Sequence, residues 1–288
     1  MNSGTLEIFD VDHGACALLT MPSWNGHTRY VLIDCGHSSS FNGGRWTPGA
    51  QLRLRQINHI DLLVCTNYDE DHASGFPSLV EHGISVECIL GNPTVPAEVI
   101  EHLKTEDGMG PGIKVLSNTL ALRATQGKEQ VVPSIPGVIF HWAWNTWPYW
   151  ETENNLSLVA YFDILGYKFL FPGDMEKDGF TNLLRNSTFA SWMSEVDVLI
   201  AAHHGRENGK CEAMFDDFGC SPQLVIISDC AKRHQSQETV GYYHSKSRGI
   251  PNFRKQGPRY VLTTRSDGYI RFDFEDGHRA SGGRCLLP

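Results

Sequence analysis

The segment Thr66-Asn67-Tyr68-Asp69-Glu70-Asp71-His72 puts three carboxylates and an imidazole at four consecutive positions. Charges so close repel one another unless water, a cation or helix amides relieve them. A divalent metal ion accounts for the cluster most fully, because carboxylate oxygen and imidazole nitrogen are its ordinary hard and borderline ligands. An acidic N-cap on a surface helix is the plainer account, since a helix N-terminus stabilises one or two negative charges by itself. Three further polar groups recur at comparable places: Pro172-Gly173-Asp174, Ala202-His203-His204-Gly205, and Ser228-Asp229 with His234 close behind. A lone Asp after Gly is ordinarily a turn residue and a lone His a core or surface residue. Four such clusters, each just after an apolar run, read together as one assembled site.

The elements that must position these residues follow from periodicity. Leu6 to Val11, Ala15 to Met21 and Arg29 to Ile33 read as three short strands in an antiparallel meander. Next come a helix over 50–56, a buried strand over 61–65, a helix over 71–81, a strand over 86–90 and a helix over 97–104. A Gly/Pro-rich loop and a short strand around 114–116 follow; residues 117–136 carry no clear pattern. The second half repeats the alternation: strands over 138–142, 156–162, 167–171, 196–201 and 224–227, and helices over 177–184, 212–218 and 237–244. Residues 259–263 and 269–274 read as a closing hairpin turned by Ser266-Asp267-Gly268. Two rounds of strands, each followed by helices, predict an α/β fold of two packed β-sheets with helices outside, an αββα sandwich. No Pro/Gly/Ser linker divides the halves, so residues 1–288 read as one domain, with a flexible tail from about 276.

Composition bounds the possibilities. The 288 residues are 41% hydrophobic and 20% charged, which excludes coiled coil, collagen and low-complexity disorder. No run approaches the roughly 18–20 apolar residues of a membrane helix, and the first residues lack a basic and an apolar signal region, so the expectation is a cytoplasmic protein with no membrane partner. A net charge of −9, from 24 Lys and Arg against 33 Asp and Glu, argues against a whole-surface grip on nucleic acid. The eight Cys show no ligand spacing and read as small buried thiols.

The order of motifs resembles the metallo-β-lactamase fold, and most of all the soluble catalytic domain of ComEC-type DNA-uptake proteins and their stand-alone relatives. The resemblance rests on Asp10-Val11-Asp12-His13-Gly14, Leu32-Ile33-Asp34-Cys35-Gly36, the Thr66 to Gly75 loop, Asn154-Asn155-Leu156-Ser157-Leu158-Val159, Leu170 to Asp174 and Asp197 to Gly205, with Ser228 and His234 in the late motif. It runs from about residue 5 to 275. It implies that Asp71 and His72 bind one divalent ion, zinc or manganese, that Asp174 bridges to a second, and that His203 or His204 joins the first. Asp69 would serve the second ion, with His234 nearby. It further implies a hydrolase, a phosphodiesterase or nuclease cutting P–O bonds in nucleic acid or a small nucleotide with metal-activated hydroxide, Asp71, Asp174 and His234 being catalytic. Asn154, Asn155, Ser157 and Ser228 fall in supporting or substrate-facing positions.

One departure bears on that reading. Where the family carries its first ligand His, this chain has Asn67, and a neutral amide replaces imidazole poorly; one ion should be firm and the second weaker or absent. A catalytically impaired binding or assembly protein is therefore the alternative. His13 could restore a nitrogen ligand, face substrate or simply pack. Arg206 could clamp a phosphate or stay solvated. Four of the seven Trp lie between Trp142 and Trp150, where they could stack bases, anchor a protein partner, form a lid or stiffen the loop. The basic run of Lys246, Arg248, Arg254, Lys255 and Arg259 reads as a phosphate-contacting rim or a solvated loop.

Overall fold

The computed structural model describes residues 3–22, 26–40, 44–104, 108–127, 131–230, 238–252 and 257–275. Within them, the first sheet comprises β1 (Ser3–Ile8), β2 (Ala17–Met21), β3 (Arg29–Ile33), β4 (His59–Val64), β5 (Ser85–Leu90) and β12 (Ile270–Glu275), in the order β12-β1-β2-β3-β4-β5. The second comprises β6 (Val138–Trp144), β7 (Leu158–Ile164), β8 (Tyr167–Phe171), β9 (Val198–Ile200), β10 (Leu224–Ile227) and β11 (Val261–Thr263), in the order β11-β10-β9-β8-β7-β6. Both are mixed. The β1-β2-β3 meander is antiparallel as expected, whereas β3-β4-β5 and β8-β9-β10-β11 are parallel.

Side-chain alternation explains the layers. Leu158, Ala160, Phe162 and Ile164 of β7 point into the core between the sheets, together with Leu6, Leu19, Ile33, Phe169, Leu224 and Phe272. The intervening Val159 and Tyr161 of β7, with Val225 and Ile227 of β10, face an outer core built with α6 (Lys177–Leu183), α7 (Ser187–Met193), α8 (Glu212–Asp216) and α9 (Val240–Lys246). The other face of the first sheet is covered by α1 (Pro48–Leu54), α3 (Phe76–Glu81), α4 (Ala97–Leu103) and α5 (Pro111–Thr125) through Leu52, Phe76, Leu79, Ile100, Ile113 and Leu116. Period-two patterning on strands buried on both faces requires this helix–sheet–sheet–helix stack. It is the αββα sandwich expected.

Three local expectations need correction. Residues 114–116 lie inside α5, a 15-residue helix rather than a strand. Pro111 sits in its first turn, where a missing N–H costs nothing. The helix expected over 71–81 is two: α2 (Glu70–Ala73) and α3, separated at Ser74 and Gly75. A side chain at Gly75 would meet the Cys35 carbonyl at 2.5 Å. The closing hairpin does not form either. β11 pairs with β10 and β12 with β1, on different sheets, and residues 264–267 between them make a one-turn helix, α10 (Thr264–Asp267). The expected tail from 276 lies outside the described residues. No helix among the described residues is long and apolar enough to cross a membrane.

Candidate metal centre

The clusters meet because of strand direction. β1, β3 and β4 run the same way in the first sheet, and β8, β9 and β10 in the second. In each sheet, the segments that follow these strands therefore emerge at one edge, the usual place for ligands in open α/β sheets. β7 is antiparallel to β8, so the residues preceding it, Asn154 to Ser157, reach that edge too.

At the centre stand Asp71, His72, Asp174 and His204, each offering one ligand atom, all within 4.8 Å of one another. His72 Nε2 is 3.0 Å from Asp174 Oδ1, and His204 Nε2 lies 3.1 Å from Asp71 Oδ2 and 3.5 Å from Asp174 Oδ1. His72, Asp174 and His204 are buried. The backbone of α2 is clamped from both sides: Ala15 N–H donates to the Asp71 carbonyl and Cys35 N–H to that of His72. Gly14 and Gly36 allow this, since a Cβ on either would sit 2.6 or 2.5 Å from the Asp71 carbonyl oxygen.

Both imidazoles of the cluster are oriented from behind. Asp34, at the end of β3, accepts from Thr66 N–H at 2.7 Å and Thr66 Oγ1 at 2.5 Å, and its Oδ2 lies 3.0 Å from His72 Nδ1. His204 Nδ1 donates to the Ser228 carbonyl at 2.9 Å, which leaves the Nε2 lone pair facing the cluster. That Nε2 is buried and has no hydrogen-bond partner. A hydrogen-bonded Nδ1 behind a ligating Nε2 is the usual arrangement at metal sites, so the donor set fits a divalent ion. The His-His-Gly turn needs unusual backbone to present its rings: His203, His204 and Gly205 have φ of 50°, 53° and 72°. Only the last is free of strain there.

Electrostatics agree with a site built for positive charge. Burial pushes Asp71 up, but the close approach of His204 and its charge, with His72, pull it down to about 2. Burial acts likewise on Asp174, and the charges of His72 and His204 outweigh it, holding the carboxyl far below its ordinary range. His72 is opposed by burial yet raised well above its usual value by Asp174 and Asp34. His204 is raised by Asp174 and Asp71.

The other expected residues fall around this centre. The three acids diverge: only Asp71 enters the cluster. Glu70 accepts from Gly112 and Ile113 N–H at 2.8 and 3.0 Å, capping α5. Asp69 pairs with Lys104, which also reaches Glu153 at 2.9 Å. Asn67 accepts from Asp69 N–H and donates to Ser157 Oγ at 3.0 Å, while Ser157 Oγ accepts from Asp174 N–H. Asn154 and Asn155 hydrogen-bond Glu176. His203 stands beside the four, its Nε2 3.9 Å from Asp174 Oδ2 and its Nδ1 3.8 Å from Glu176. Arg206 spans the mouth, 3.1 Å from His203 Nε2 and 2.9 Å from His13 Nε2. His13 Nε2 is 3.7 Å from Asp71 Oδ2. Burial, the charge of His204 and that of Arg206 lower His13 to about 4. His234 lies outside the described residues. Asp34, Thr66 and Lys104 had not been singled out as site residues; Asp34 carried a signal, an acid ending a strand beside Cys-Gly.

Two surface segments for which alternatives stood open can be placed. Trp147 and Trp150 pack against the outer core of the first sheet, Trp142 and Trp144 against the inter-sheet core, and only Tyr149 stands out, 88% exposed. Of the basic run, Lys246 pairs with Asp216, Arg248 approaches Asp197 at 3.8 Å and Arg259 holds Asp267 through two bonds; Arg254 and Lys255 lie outside the described residues. A second group, His59, Asp61 and Glu87, also comes within metal-binding reach, at the starts of β4 and β5 on the opposite edge. Its Asp61 is already taken by Arg29 and by Tyr30 N–H.

Fold and site together define a class: the chain belongs to the metallo-β-lactamase superfamily, whose sequence pattern matches residues 10–208. Among characterised proteins it is similar to the ComE operon protein 3 of Bacillus subtilis (strain 168), at 23% identity over 289 residues, covering 96% of this chain and 34% of that one. Among solved structures it is similar to CmlA, a diiron β-hydroxylase from Streptomyces venezuelae, with a TM-score of 0.53 and 14% identity over 94% of this chain and 54% of that one. The likeness to CmlA is one of fold. The chain spans about a third of the first relative's length and about half of the second's.

Proposed function

We propose that the protein is a metal-dependent hydrolase that cleaves P–O bonds in nucleic acid or a small nucleotide. The observation that supports this best is the convergence of Asp71, His72, Asp174 and His204, with a buried, unpartnered Nε2 aimed into it. A divalent ion, zinc or manganese, held by these groups supplies Lewis acidity toward a phosphoryl oxygen and acidifies water. The protein's own groups do the rest. Asp34 and the Ser228 carbonyl fix the tautomers of His72 and His204, leaving both Nε2 atoms as donors to the ion. Arg206, turned across the mouth, is placed to clamp a phosphate oxygen through a planar fork of N–H groups. His13, uncharged at neutral pH, holds that fork by accepting one of its N–H groups. The first motif, with Asn67 where the lactam- and thioester-cleaving relatives carry the first His of His-x-His-x-Asp-His, departs from their pattern, and this supports a phosphoester substrate.

The experiment is a panel of linear and circular, single- and double-stranded DNA, RNA and cyclic nucleotides, incubated with manganese or zinc and with wild type or Asp174→Ala. Cutting that is lost in Asp174→Ala while its fold persists supports the assignment. A wild type inert on every substrate with metal bound returns the reading to a binding or assembly protein, which the engagement of Asn67 by Ser157 and Asp69 favours.

A further inference from the structure

A second ion beside the first would have to draw its ligands from the groups on the Asp69 side of the cluster, and among the described residues each of these is already matched to something else. Asp69 is bonded to the Lys104 ammonium, which also binds Glu153 at 2.9 Å, so one cation serves both carboxylates. Lys104 is only 7% exposed, too enclosed for an incidental surface pair. It leaves the C-terminal end of α4, where a cation also suits the helix dipole. Asn67, a neutral amide, is committed through its oxygen to Asp69 N–H and through its nitrogen to Ser157. The remaining nitrogen, His203 Nε2, faces the Arg206 guanidinium at 3.1 Å. Two positive charges, the Lys104 ammonium on Asp69 and the Arg206 guanidinium beside His203, thus meet the groups that a second ion, about 3.5–4 Å from the first in two-metal sites, would draw on.

We propose that Lys104, seconded by Arg206, takes the place of a second metal ion, and that this chain works with a single divalent ion at Asp71, His72, Asp174 and His204. The inference rests on that centre being a metal site, as proposed above. Lys104 touches no reacting group. It is a positioning residue that holds Asp69 and Glu153 in a fixed ion-paired group, where an exchangeable ion would do so reversibly. Asn67 and Lys104 belong together in this account: with no imidazole at 67 a second ion loses the nitrogen that this position would supply, and with the ammonium present Asp69 is not free to bind it.

The test is metal stoichiometry, read without activity. Full-length protein is stripped with chelator, dialysed against excess zinc and analysed for ions per chain; a parallel cobalt(II) titration follows the visible ligand-field bands. Wild type should saturate at one ion, with a single break in the cobalt titration. Lys104→Met with Asn67→His should take two and show a second break, while Asn67→His alone should stay at one because the ammonium remains. A wild type that binds two ions overturns the inference and leaves the metal site standing. A wild type that binds none overturns both, which separates the two failures. A double variant that folds and still holds one ion also counts against the role of Lys104. If that variant does not fold, the wild-type stoichiometry still decides.

Discussion

Asp34→Asn tests whether the centre depends on the group behind it. The substitution keeps size and shape and leaves Oδ1 to accept from Thr66 N–H. It replaces Oδ2, which faces both Thr66 Oγ1 and His72 Nδ1, with an N–H₂ group. A donor then opposes the Nδ1 proton, and His72 must either turn or move that proton to Nε2, the atom needed for the ion. The lost charge-assisted hydrogen bond corresponds to about 1.5–3 kcal/mol. The usual penalty for changing the partner of a ligating His is about 10–100-fold in metal affinity, or about 1.4–2.7 kcal/mol, so the two routes agree. Zinc affinity, measured by competition with a chromophoric chelator, should fall by that factor. Because an ion that binds only the folded state stabilises it in proportion to the logarithm of affinity, the zinc-induced rise in melting temperature should shrink by roughly 2–5 °C. An Asp34→Asn protein with wild-type zinc affinity and an undiminished rise would refute the assignment of Asp34 as the residue that orients His72.

Other expectations are simpler to state. Glu70→Gln should leave zinc stoichiometry untouched but cost about 1–2 kcal/mol in urea unfolding, because it weakens the charged cap on α5. Gly205→Ala should destabilise by about 2–3 kcal/mol in the same assay, from a φ of 72° and a new Cβ 2.8 Å from Ile227 Cγ2. Without metal, the raised His72 contributes stability that is fully present below its unfolded value of about 6.5 and is lost as pH rises through its folded value. Asp71, lowered from 3.8 to about 2, contributes stability present above 3.8 and lost as pH falls toward 2. Chelator-treated protein should therefore melt highest in mildly acidic buffer, whereas the increment added by zinc should grow from pH 5 to 8 as protons leave His72 and His204; an increment flat over that range would contradict the ligand set.

Much of this was legible in the sequence, for identifiable reasons. β7 and β10 are apolar runs that feed both cores, so their existence, and the sandwich, follow from the residues, although β7 runs over 158–164 rather than the expected 156–162 because 154–156 make a short 3-10 turn. Asp71, His72, Asp174 and His204 stood out because each ends an apolar run, and strand direction then gathers them. What stayed hidden was tertiary. Lys104 lies 35 positions from Asp69, on a helix whose amphipathic pattern accounts for it without a site. Gly110 and Pro111 look like a loop because the capping acid that makes them a helix start comes from residue 70. Ser266-Asp267-Gly268 resembles a hairpin turn, yet Asp267 accepts from Thr263 N–H and binds Arg259, and the two flanking strands separate onto different sheets because each completes an edge. The helix α7 went unmarked although Asn186 caps it by accepting from Thr188 and Phe189 N–H.

The fate of the acidic triplet sets the limit on counting ligands from a motif. Around an N-terminal turn, consecutive side chains diverge by about 100°, so three adjacent carboxylates cannot converge on one ion. Here they reach three different positive groups: an ammonium, a helix N-terminus and a pair of imidazoles. Each partner relieves the repulsion that makes the triplet look like a metal motif in the first place. The number of ions a cluster can hold is therefore set by which of its charges remain uncompensated once the fold has formed. By that criterion the charges that would be left for an exchangeable ion are Asp71 and Asp174, whose side-chain partners among the described residues are imidazoles, groups that can bind either a proton or a metal.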